Sequence, residues 1–113
     1  MNERPLEFIL VRQKDNILAI VNQMQWTDTL DSLRTDCDTV ANHLLILSEL
    51  WVEADYAYKL TEICERLVSL LSEAYMKAEN HKRRQGLGIL RMRFIKLSDT
   101  FYGMQHEPEL YIK

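Results

Sequence analysis

Eighty consecutive residues, Leu6 to Gln85, contain neither glycine nor proline, where average usage would place roughly ten of the two combined. Glycine supplies positive φ and proline blocks helix continuation, so these residues punctuate most chains. A stretch without them predicts long helices joined by tight turns. At 113 residues the chain reads as one domain. Its 47% hydrophobic and 27% charged content is that of a folded globular protein.

The apolar spacing divides the chain into four helical segments. The first runs from about Pro5 to Met24, with an inward stripe of Leu6, Leu10, Gln13, Ile17, Ile20 and Met24. Proline suits the first helical turn, where its missing N–H has no partner to lose. The second begins near Thr27 or Asp28, either of which can cap it, and carries Leu30, Leu33, Cys37, Val40, Leu44, Leu47 and Trp51. The third carries Tyr56, Leu60, Ile63, Leu67, Leu70 and Ala74, with Cys64, Leu71 and Tyr75 alongside, in a different phase, so a turn is expected within residues 52–55. One long bent helix is the alternative. The fourth carries Leu87, Leu90, Phe94, Leu97, Phe101 and Met104. Asn80 can end the third or cap the fourth, and Gly86 and Gly88 suggest a start only near Gly86. Gly103 and Pro108 are expected to close it. Residues 1–104 then form the domain and 105–113 a tail.

The stripes average about 3.5 residues, the period that keeps a seam facing a partner helix. The expectation is an all-α, antiparallel up-down four-helix bundle. Phe8, Leu18, Leu45, Ile46, Leu50, Tyr58, Val68 and Ile89 fall beyond the narrow stripes. They read either as a wide core or as a surface for a homodimer or another partner.

Charge is segregated along the chain. Residues 27–55 hold seven acids against Arg34, a balance of −6, and residues 77–96 hold seven bases against Glu79, a balance of +6. The two faces can attract each other within the bundle or steer a charged partner. On the acidic side the candidate contacts are Asp36, Asp38 and Glu49, with Leu45 and Ile46 as apolar anchors. On the basic side they are Lys82, Arg83, Arg84 and Arg91, which could also grip phosphates. The net charge of −3 and the lack of aromatics among these bases weigh against nucleic acid.

Catalytic constellations are missing from the pattern. None of His43, His81 and His106 follows a glutamate by three residues, as di-iron bundles require. No cysteine and histidine spacing matches a zinc motif. Glu62 with Glu65, and Glu49 with Glu53, have no matching pair of the kind that holds magnesium in helical nucleotide pyrophosphohydrolases, and read as surface carboxylates. His43 lacks the following lysine and small residue of a phosphotransfer site. There is no Gly-x-Ser-x-Gly elbow and no phosphate-binding Gly-x-x-x-x-Gly-Lys. Cys37 and Cys64 sit on apolar faces, as in a reducing cytoplasm. No signal peptide and no apolar run of about 18 residues is recognisable. The sequence therefore predicts a cytoplasmic, non-enzymatic protein-protein interaction module without cofactor or metal. It would act as an adaptor, chaperone-like or regulatory subunit, with nucleic-acid binding through residues 81–96 as the second reading.

Overall fold

The computed structural model describes residues 5–51 and 57–106. They form four helices and no strand: α1 (Pro5–Gln23), α2 (Leu30–Trp51), α3 (Ala57–Lys77) and α4 (His81–His106). The protein is an all-α four-helix bundle. The side chains of residues 5–10, 50, 51, 57 and 105 lie outside the described set, and with them Leu6, Leu10 and Trp51 of the expected stripes and Phe8 and Leu50 beyond them.

The core follows the heptad positions closely. Ile17, Val21 and Met24 of the first segment are buried with Leu33, Cys37, Val40, Leu44 and Leu47 of α2. Leu87, Leu90, Phe94 and Phe101 enter from α4. Gln13, the one polar residue of the first stripe, is half-buried. In α3 the buried line is Leu60, Cys64, Leu67, Leu71, Ala74 and Ala78, with Ile63 beside it. Cys64 and Leu71, expected alongside the stripe, are fully buried, and Leu70 within it is partly buried against the core. One side of α3 packs extensively on α4, and Leu70 lies half-buried beside Val21 and Met24.

Topology can be read from one end of the bundle. Residues 24–29 link α1 to α2, and residues 78–80 link α3 to α4. Arg83 donates from Nη2 to the Trp26 carbonyl at 2.6 Å. The Lys77 ammonium lies 4.3 Å from the centre of the Trp26 ring, close enough for cation–π attraction. The two links therefore sit together, as an up-down-up-down path requires, and α2 and α4 start at the same end. Residues 52–56, where the sequence places a turn, lie outside the described residues. The flanking helices α2 and α3 contact each other.

The start of α2 differs from expectation. Thr29 is its cap: the Ser32 amide donates to Thr29 Oγ1 at 3.1 Å, satisfying one of the unpaired N–H groups of the first turn. Asp28 is used one step earlier. It accepts from the Gln25 amide at 2.9 Å while its own amide donates to the Gln25 carbonyl at 3.0 Å, closing the turn that carries Trp26.

At the start of α4 Asn80 takes one of its two expected roles, while the first residue and the end of the helix differ. Asn80 caps it, accepting from the Arg83 amide at 3.1 Å. The helix begins at His81 and passes through both glycines instead of starting at Gly86. A good cap outweighs two weak helix formers when the opposite face is buried. Gly103 does not stop the helix, which continues to His106; Pro108 lies outside the described residues.

The two glycines have different reasons for being there. A Cβ on Gly86 would stand 2.5 Å from Leu30 Cδ2 and 3.2 Å from its Cγ, so glycine lets α4 approach the first turn of α2. A Cβ on Gly88 would meet Tyr75 no closer than 3.4 Å, an ordinary contact. Gly88→Ala is therefore expected to raise the unfolding free energy by about 0.5–1 kcal/mol, the difference in helix propensity. Gly86→Ala is expected to leave the protein no more stable than wild type, because Leu30 must move. Urea denaturation of both variants checks this; equal gains would mean that α4 does not press on Leu30.

Candidate functional site

The sequence-derived acidic residues lie on the outer side of α2. Residues 38, 42, 45, 46 and 49 recur at helical spacing and share a face opposite Leu33, Val40, Leu44 and Leu47. Leu45 is 46% and Ile46 59% exposed, so neither belongs to a wide core. Glu49 is exposed beside them and Asp36 is half-buried. Asp38 is exposed and bonded to Arg93 of α4. Among the described residues this is the one ion pair joining the acidic helix to the basic one. At such exposure it contributes no more than about 1 kcal/mol.

The basic residues do not form a single free patch. Arg83 is tied to Trp26, as above. Arg84 donates from Nη2 to the Ala78 carbonyl at 2.9 Å, capping the end of α3, and its guanidinium lies 5.7 Å from the Tyr75 ring centre. Arg91 donates from Nε to Ser72 Oγ at 2.7 Å. Lys82 is exposed. Three of the four predicted cations thus join α3, α4 and the α1–α2 link.

Between the end of α3 and the first half of α4 runs an open groove of about 580 Å³. Its walls are Tyr75 from α3 and His81, Arg84, Gln85, Gly88, Ile89 and Met92 from α4. Ile89 is 71% exposed, and nearby Met76 is 76% exposed. The α4 residues recur at i, i+3, i+4, i+7, i+8 and i+11, one continuous helix face. The absence of a side chain at Gly88 deepens its middle. The result is an apolar floor with the Arg84 guanidinium at one end, suited to the side of an amphipathic helix that carries an acid. The sequence reading included Ile89, His81 and Arg84 but not Tyr75, Met76 or Met92 as surface residues. The available signal was the pairing of Ile89 with Met92 on the side of α4 away from Leu87, Leu90 and Phe94.

Two smaller clefts separate α1 from α3. One, of about 240 Å³, has Lys14, Leu18, Tyr58 and Arg66 among its walls. The other, of about 260 Å³, lies between Asn22, Met24, Ser69 and Leu70.

Cys37 and Cys64 are unpaired and fully buried. Burial pushes each thiol up to about 12. At Cys37 the Arg93 charge opposes that rise, and Asp36 and Asp38 add to it. At Cys64 the Glu65 carboxylate adds to it. Such thiols are poor nucleophiles. His43 is half-buried, and its Nδ1 donates to the Thr39 carbonyl at 2.8 Å. Glu62 and Glu65 are exposed. Among the described residues no three of His, Cys, Asp or Glu converge as a metal site would need. No helix among them is long and apolar enough to cross a membrane.

Comparison with known protein families, with curated proteins and with solved structures found no significant match for this chain.

Proposed function

We propose that this protein is a non-enzymatic protein-protein interaction module, an adaptor, chaperone-like or regulatory subunit working in the reducing cytoplasm. The observation that carries the reading is the groove between α3 and α4, an exposed apolar helix face with Arg84 at one end, on the side of α4 away from its buried residues. Isolated surface hydrophobics are ordinary, but neighbouring ones along one helix face mark contact sites. The Leu45, Ile46 and Glu49 face of α2 supports it with the same apolar character and opposite charge. The unpaired, buried thiols are consistent with a reducing compartment.

The test is capture of partners from lysate of the native source by the tagged protein, with and without nuclease. A protein retained at constant yield after nuclease is expected. Leu45→Ser with Ile46→Ser is expected to reduce that yield at least tenfold while leaving the helical circular-dichroism signal unchanged, because both side chains are exposed. Loss of every partner on nuclease treatment would overturn the reading in favour of nucleic-acid binding through Lys82 and its neighbours.

A further inference from the structure

We propose that the groove between α3 and α4 is filled by α2 of a second copy of this chain, in an antiparallel two-fold dimer. This rests on the interaction-module reading and names the first occupant of its surface.

The argument starts from where the complementary surfaces lie. Leu30 touches the Gly86 position and Asp38 pairs with Arg93, so α2 and α4 run side by side in the same direction. At 1.5 Å per residue, Leu45 and Ile46 stand roughly 20 Å further along the bundle than the groove at Gly88, and Glu49 roughly 30 Å beyond Arg84. Within one molecule the acidic apolar face and the basic apolar groove cannot meet. Two copies can bring them together.

An antiparallel arrangement matches both chemistries in one register. With Leu45 and Ile46 against Ile89 and Met92, the next turn of α2 carries Glu49 toward Arg84 and His81. In the other direction Asn42 approaches Lys96, which is exposed on α4. A two-fold axis through the middle of α2 and α4, close to the Asp38–Arg93 pair, generates the same contact a second time. Each copy then gives one acidic face and receives one, which is the self-complementary arrangement of a closed dimer. Asp38 shares the helix face of Leu45 and Glu49, and Arg93 lies one turn from Ile89, so the ion pair joins the two patches on the molecular surface.

The experiment is sedimentation equilibrium of the purified full chain from micromolar to millimolar concentration, together with a disulfide trap. Dimerisation is expected. It should weaken at least tenfold in Ile46→Asp, whose side chain makes no core contact, and weaken as salt is raised. Glu49→Cys with Gln85→Cys should give a covalent dimer on mild oxidation, because these positions face each other only between copies. Either cysteine variant alone should not. A chain that stays monomeric throughout overturns the proposal, as does a dimer that neither the trap captures nor Ile46→Asp weakens. Monomeric behaviour with nuclease-resistant capture of a different protein would leave the interaction-module reading standing. Failure of both would remove that reading too.

Discussion

Replacing Phe94 by alanine is expected to lower the unfolding free energy by about 3–5 kcal/mol, the range for removing a buried ring from a core. Phe94 has no exposed surface and lies midway along α4. One turn before it Leu90 is buried, and two turns after it Phe101 is buried. The loss has two parts: apolar surface returned to water in the unfolded reference, and contacts forfeited around a cavity that long helices cannot easily close. Domains of this size are stable by about 5–15 kcal/mol, so the variant should lose a large share of its stability. Urea titration followed by circular dichroism measures it. Met92→Ala, two residues away on the exposed groove face, should change stability by less than about 1 kcal/mol. Similar losses in the two variants would contradict the division of α4 into a core side and a surface side.

The second large effect is a loss of stability in alkali that passes through the two cysteines. Each thiol is raised from 9.0 to about 12 in the folded protein. Below pH 9 the folded and unfolded states both hold the proton, and the contribution is fully present. Above pH 9 the unfolded chain ionises and the folded chain does not, so unfolding becomes progressively easier until the folded pKa is reached. Each unit of difference corresponds to about 1.4 kcal/mol. Stability should therefore fall steeply between about pH 9 and pH 12. In Cys37→Ala with Cys64→Ala the fall should be shallower, even though the variant starts less stable from lost packing. Identical slopes would mean that the thiols are hydrated. The same burial predicts that a thiol reagent labels the native protein only as fast as it opens.

Helix number and most of the core were legible because a bundle repeats one simple rule. Leu33, Cys37, Val40 and Leu44 of α2, and Leu87, Leu90 and Phe94 of α4, are spaced at three and four residues, and all are buried. Local chemistry at helix ends was less legible. Thr27, Asp28 and Thr29 are three successive residues able to cap a helix, and geometry selects among them through the turn that Asp28 closes on Gln25. Gly86 misled for a related reason. A glycine inside a helix reads as a boundary, but here it marks the close approach of Leu30, a contact between residues far apart in sequence.

The candidate site was half legible. Leu45, Ile46 and Ile89 stood out because they exceed what a narrow stripe needs, and all three are exposed. Their partners did not stand out. Tyr75 and Met92 belong to different helices, and only the packing of α3 on α4 places them on one groove. The charge blocks were visible as totals, yet their use was not. Arg83, Arg84 and Arg91 spend donors on Trp26, Ala78 and Ser72, which no count of cations can show.

By itself, then, the sequence determined that this chain would be helical, in four pieces, with a common apolar seam and two cysteines inside it. Those properties follow from residue spacing along one helix, and spacing is local. The tertiary structure alone decided which surplus hydrophobics would be surface, which arginines would be structural and where a groove would open. Those depend on the rotation of each helix about its own axis against its neighbours. Neighbours such as Leu45 and Leu44 point about 100° apart, so that rotation decides which of two adjacent leucines is core and which is surface while the apolar period is unchanged.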